Sequence, residues 1–122
     1  MTTADAPVSD VMSIVVFGAR PETSVGELRT AMHEQGLHFV PVVEDHVPVG
    51  VVSSWDLMRC PSDNRLVSEM MTTPPISIAP TTTIREAAVK MRYAAVHHLL
   101  VVRDGRLVGS VSAIDLLQAV DA

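Results

Sequence analysis

The sequence predicts a mixed α/β (α+β) fold, two β-α-β-β-α repeats packed through their sheets with pseudo-twofold symmetry. Three observations predict it: an ungapped internal repeat, matching helix starts and turns in its two copies, and strands that are apolar along nearly their whole length. Val8–Leu57 aligns on Val67–Leu116 with identities that include Met12/Met71, Pro21/Pro80, Glu27/Glu86, Met32/Met91, His38/His97, Val42/Val101, Asp45/Asp104, Gly50/Gly109, Ser53/Ser112 and Asp56/Asp115. Register held over that distance marks a duplicated structural unit. The 122 residues are 48% hydrophobic and 19% charged, enough apolar surface for a core and too much for disorder. A single repeat buries too little to stand alone, so the two must pack together. Strands without polar alternation are covered on both faces, by helices on one side and by the sister repeat on the other. Pairing equivalent units leaves two related clefts between them.

Each repeat, 8–60 and 67–120, carries the same elements in order. Short helical turns at Val8–Met12 and Val67–Met71 precede extended pieces at Ile14–Phe17 and Pro75–Ala79, each followed by a proline, Pro21 or Pro80. Ser24-Val-Gly-Glu27 and Thr83-Ile-Arg-Glu86 then read as capping boxes, with the hydroxyl accepting from an early backbone N–H and the Glu reaching back. Val25, Leu28 and Met32, and Ile84, Ala87, Ala88 and Met91, mark the apolar helix faces, which end near Gly36 and Ala95. Strands follow at His38–Val43 and His97–Val102, then at Val47–Ser53 and Arg106–Ser112, with Asp104-Gly105 a strong hairpin signal. Ser54–Arg59 and Ala113–Val120 read as second helices, and Arg59–Arg65 as the polar linker between repeats.

Gly50-Val-Val-Ser53-Ser-Trp-Asp56 and Gly109-Ser-Val-Ser112-Ala-Ile-Asp115 place Gly-x-x-Ser-x-x-Asp where a strand feeds a helix. Unpaired N–H groups and the helix dipole make that junction a place where Ser53 or Ser112 can hold a phosphate oxygen. Asp56 and Asp115, in the first turn, repel phosphate but accept from two neighbouring ribose hydroxyls, at ~1.5–3 kcal/mol per charge-assisted bond. The same Ser-x-x-Asp pattern is also a helix cap that needs no ligand.

The motif and its surroundings resemble a tandem cystathionine-beta-synthase (CBS) domain pair, or Bateman module. The resemblance rests also on Asp10-Val-Met-Ser13 and Glu69-Met-Met-Thr72 at the openings, on Pro21 and Pro80, and on Phe39-Val-Pro-Val-Val43 and His98-Leu-Leu-Val-Val102. It implies an adenosine-derived ligand: AMP, ADP or ATP, with S-adenosylmethionine or NAD less favoured. Adenine would then lie among Val16, Phe17 and Ile76 of the first strands and Val40, Pro41, Leu99 and Leu100 of the second. Where that family often carries arginine just before the Asp, this chain has Trp55 and Ile114. A homodimer is implied too, and with no other domain attached the output is expected to pass through oligomerisation or a separate partner protein.

Other features narrow the function. Nine basic against fourteen acidic residues give a net charge of -5 with no basic run, and aromatics are only 3%, so nucleic acid is an unfavourable partner. Nothing approaches a membrane span or a secretory leader, and the lone Cys60 suits a reducing cytoplasm. His97 and His98 stand at a strand edge, where one can approach a ligand phosphate, and no metal-binding spacing is present. The repeated methionines read as gap fillers of a core or helix interface, and Trp55 as a dimer contact or a cover for the cleft. Without a nucleophile elbow or paired carboxylates, catalysis is not expected. Two readings remain: a regulatory adenosine-nucleotide sensor, and a ligand-free assembly module forming a homodimer.

Overall fold

A computed structural model describes residues 3–14 and 17–121. The chain forms two compact units: one spans Val16–Pro75, and the other combines Met1–Val15 with Ile76–Ala122. These units are offset from the sequence repeats, because the opening segment of each repeat is built into the unit formed by the rest of the other. In the two-segment unit Val8 N donates to Thr82 O at 2.7 Å, and Ser13 and Ser110 exchange backbone bonds at 2.9 Å. In the Val16–Pro75 unit the same geometry recurs: Val67 N donates to Thr23 O at 2.8 Å, and Val51 and Thr72 pair at 3.0 and 2.9 Å.

The Val16–Pro75 unit contains α1 (Val25–Gln35), β1 (Phe39–Glu44), β2 (Val47–Ser53), α2 (Ser54–Met58) and α3 (Val67–Met70). The two-segment unit holds 3-10 turns at Thr3–Asp5 and Val8–Asp10, then β3 (Ser77–Ile78), α4 (Ile84–Ala94), β4 (His98–Arg103), β5 (Arg106–Ser112) and α5 (Ala113–Asp121). The main helices begin where their caps predict, with one correction. Thr83 and Glu86 bond reciprocally at 3.0 and 3.1 Å, whereas Ser24 accepts from Glu27 N at 3.1 Å and the Glu27 side chain does not return the bond. Helix α1 buries Val25, Leu28 and Met32, and α4 buries Ile84, Ala87 and Met91. Ala88, expected on that buried face, is exposed and lines an apolar groove with residues of α5. Both helices end in the left-handed region, at Gly36 (φ 64) and Ala95 (φ 57).

The hairpins are near copies. β1 runs antiparallel to β2 from Phe39↔Ser53, and β4 to β5 from His98↔Ser112, each with an irregularity after Val42 or Val101. The leading strands start one residue later than the spacing predicts, at Phe39 and His98. Each hairpin closes through two residues of positive φ, Asp45-His46 (51, 70) and Asp104-Gly105 (52, 79), the backbone of a type I′ turn. The expected first strand forms in one unit only as Ser77–Ile78, parallel to β4. Neither Ile14 nor Phe17 lies in a strand, and Val15 and Val16 fall outside the described residues. Its place in the other unit is marked by a single parallel bridge, Ala19↔Val42, made by Ala19 N to Pro41 O at 2.9 Å and Val43 N to Ala19 O at 2.8 Å.

Each unit has its own aliphatic core. Leu28, Val40, Val42, Val52 and Val67 are fully or almost fully enclosed in one; Val8, Ile84, Leu99, Val101 and Val111 in the other. The predicted linker Arg59–Arg65 is not a free tether. Arg29 donates through Nε to Asp63 at 3.0 Å and through Nη2 to the Cys60 carbonyl at 2.6 Å, Gly26 N donates to Asp63 O at 3.0 Å, and Cys60 is buried.

Candidate functional site

The two Gly-x-x-Ser-x-x-Asp motifs are set by the hairpins that carry them. The glycine is required by a close approach: a Cβ on Gly50 would lie 2.5 Å from the Met71 sulfur and 3.1 Å from the Thr72 carbonyl. On Gly109 it would lie 2.8 Å from both the Met12 sulfur and the Ser13 carbonyl. The repeated Met12 and Met71 therefore fill the space over the motif glycines, while Met32 and Met91 lie in the cores.

Three residues on, serine and aspartate form a capping box in each unit. Ser53 N donates to Asp56 Oδ2 at 2.8 Å and Asp56 N to Ser53 Oγ at 3.2 Å; Ser112 N donates to Asp115 Oδ2 at 2.8 Å and Asp115 N to Ser112 Oγ at 3.1 Å. The capping role of the motif is thus present in both copies, and it occupies one oxygen of each carboxylate. What differs is the other oxygen. Asp56 Oδ1 accepts from Arg59 Nη2 at 3.2 Å and from the Thr72 hydroxyl at 3.3 Å, and Oδ2 accepts in addition from Ser53 Oγ at 3.1 Å. Among the described residues Asp115 Oδ1 has no hydrogen-bond partner. The Arg59 side chain is 68% exposed against 9% for Asp56, and an ion pair with one solvated partner contributes only ~0.2–1 kcal/mol.

The remaining candidates divide. Val40 and Leu99, expected beside an adenine, are corrected: both lie with no exposed surface inside the core of their own unit, so a ligand meets neither side chain. Leu100 is corrected on the same ground, having no exposed surface although it belongs to neither core cluster, and Pro41 is buried on the face opposite Val40 by strand alternation. Phe17 and Ile76 are half-buried at the margins of the cores, and Val16 lies outside the described residues. His97 is exposed and its carbonyl accepts from Ala113 N at 2.8 Å, which places it against the start of α5. His38, its counterpart, has Nδ1 3.3 Å from Ser54 Oγ. Trp55 and Ile114, just before the motif aspartates, are both exposed. Among the described residues no three His, Cys, Asp or Glu side chains converge as a metal site, and no helix is long and apolar enough to cross a membrane.

Sequence reasoning missed Arg59 and Thr72. The signal for Arg59 was present, since a cation three residues after an aspartate on a helix lies on the same face. Thr72 needed the fold, because it reaches Asp56 only through the pairing of residues 51 and 72.

Comparison with known proteins places these features. The family model for the CBS domain matches twice, over residues 8–63 and 67–122. The chain is 35% identical over 102 residues to an inosine-5'-monophosphate dehydrogenase of Korarchaeum cryptofilum, covering 83% of this chain and 21% of that enzyme. It is 29% identical to the CBS domain-containing protein YhcV of Bacillus subtilis, covering 89% of this chain and 81% of YhcV. The crystal structure of CBSX2 in complex with AMP superposes with a TM-score of 0.86 at 26% identity, covering 93% of this chain and 95% of that one. The chain thus spans about a fifth of the dehydrogenase and most of the two proteins of its own size.

Proposed function

The chain belongs to the CBS-domain family and carries the domain twice, and on that premise we propose that it is a regulatory module that binds an adenosine nucleotide through Asp56 and Asp115. The observation that carries this reading is the geometry of Asp115. Its capping box fixes the side chain through Oδ2 and leaves Oδ1 with no partner among the described residues, so a carboxylate oxygen is held ready for a sugar hydroxyl. The AMP held by CBSX2 favours an adenosine ligand. In the Val16–Pro75 unit Ser53 would sit beside the phosphate and Pro41 and Phe17 against the base; in the other unit Ser112 and Ile76 would play those parts. ADP, ATP, S-adenosylmethionine and NAD share the adenosine that this reading requires. Occupancy acts by shifting populations that a separate partner protein reads, and catalysis forms no part of it.

The reading includes a homodimer. Val89 of α4 and Leu117 and Val120 of α5 are exposed and line an apolar groove of about 660 Å³, and Ile114 is exposed nearby. A face of this kind favours burial against a second copy.

The test is a calorimetric and thermal-shift titration with AMP. A ligand at one hundred times its Kd raises stability by ~2.7 kcal/mol. Asp115→Asn keeps an oxygen for the Ser112 amide and so spares the cap, but removes the charge, and is expected to weaken binding about ten- to a hundredfold. If AMP, ADP, ATP, S-adenosylmethionine and NAD all leave the melting temperature unchanged, the sensor reading is overturned. A mass of two chains by light scattering in those samples would then support the assembly reading.

A further inference from the structure

Resting on the nucleotide reading of Asp115, we propose that Lys90 is a positioning residue for that site: its ammonium clamps the strand next to Ile76 and so prepares the apolar wall that meets the base. The strand concerned, β3, is only Ser77–Ile78 and lies at the edge of its sheet, against β4. So short a ladder holds a strand weakly. Ile76 O accepts from Leu100 N at 3.1 Å, and because successive carbonyls of an extended chain point to opposite sides, Ser77 O faces the free edge. Lys90 Nζ donates to it at 2.8 Å, a charged donor on a carbonyl that the sheet leaves open. Lys90 stands three residues after the buried Ala87 on α4, so its stem leaves the margin of the buried stripe and its head reaches over the strand edge. Among the described residues the ammonium has no carboxylate partner to draw it elsewhere.

The other unit lacks both fastenings. By the repeat, Pro41 stands in the place of Leu100 and Ala31 in the place of Lys90. Proline has no N–H to give the carbonyl of Phe17, the counterpart of Ile76, and alanine brings no charge to Gly18, the counterpart of Ser77. What forms there among the described residues is the bridge Ala19↔Val42, one residue beyond Gly18. Ile76 is therefore flanked by backbone held from both sides, and Phe17 is not. A wall already held in place loses less freedom when a ligand settles against it, so affinity rises without any new contact to the ligand. Lys90 acts in this way through β3 and touches no part of the nucleotide.

The test uses the whole chain in two backgrounds, Asp56→Asn, which leaves Asp115 as the motif carboxylate, and Asp115→Asn, which leaves Asp56, each titrated with AMP by calorimetry. Lys90→Met keeps the apolar stem and removes the charge. It is expected to raise the AMP Kd about three- to tenfold in the Asp56→Asn background and to change it by less than about twofold in the other. Lys90→Arg keeps a charged donor and should bring the affinity back to within about twofold of the lysine form. An unchanged Kd in the Asp56→Asn background overturns the proposal even where the melting temperature falls, because Lys90 then serves stability alone. Equal weakening in both backgrounds overturns it too, as does a loss that Lys90→Arg fails to recover. Failure of the Asp56→Asn chain to bind AMP with Lys90 in place overturns the nucleotide reading of Asp115 itself, and that result is obtained before the lysine is changed.

Discussion

Asp56 and Asp115 occupy the same place in two copies of one motif, and the surroundings of their second oxygens separate them. Both hold the amide of the serine three residues back at 2.8 Å. Among the described residues only Asp56 also accepts from an arginine and a threonine. The shared part is what a strand turning into a helix demands, and the rest is where two equal halves can acquire different ligands. Similar local trades run through the fold. One copy ends its main helix at Gly36 and turns its hairpin without glycine, at Asp45-His46; the other ends at Ala95 and turns at Asp104-Gly105.

The largest test of this comparison lies at the motif glycines. Gly109→Ala forces a Cβ to 2.8 Å from the Ser13 carbonyl, a backbone atom, as well as the Met12 sulfur, while at Gly50 the tightest contact is the flexible Met71 side chain. Gly109→Ala is expected to cost about 2–3 kcal/mol and Gly50→Ala about 1 kcal/mol, read from denaturant midpoints at constant m. Equal losses would mean that the two copies pack alike over their motifs.

A smaller effect, of opposite sign, comes from the positive-φ positions. Ala95→Gly removes a left-handed alanine and should stabilise by about 0.5–1 kcal/mol, with His46→Gly gaining less because histidine tolerates that region better than most side chains. The melting temperature reads both. The converse Gly36→Ala should destabilise.

The smallest difference is in acid. The Glu86 carboxyl is held below its ordinary value by the backbone and hydroxyl of Thr83. Its capping contribution is therefore present above the ordinary carboxylate range and lost as pH falls through the lowered value. Glu86→Gln should flatten that part of the stability–pH curve, and Glu27→Gln, which removes no return bond, serves as the control.

What was legible in the sequence was local. Ser24, Thr83, Ser53 and Ser112 start helices through bonds within three residues, and Asp104-Gly105 needs a particular backbone, so spacing alone located them. The choice of strand face was not legible. Val40-Pro41-Val42 and Leu99-Leu100-Val101 are apolar throughout, and a pattern without contrast cannot say that Val40 and Leu99 turn to the core. Nor could composition show that the polar stretch after Arg59 is held by Arg29, because that clamp joins residues far apart in sequence. Arg59 against Asp56 was within reach of a helix-face argument, whereas Thr72 against Asp56 depends on long-range pairing.

The offset between repeats and compact units governs what a shortened gene can make. A polypeptide holding only the second repeat lacks Ser13 and Val8, whose backbone groups pair with Ser110 and Thr82. One holding only the first lacks Val67 and Thr72, which pair with Thr23 and Val51. Either half can complete its sheet and helix starts only by borrowing the missing stretch from another molecule. Tandem duplication removes that dependence on concentration, because the lender and the borrower are then the same chain.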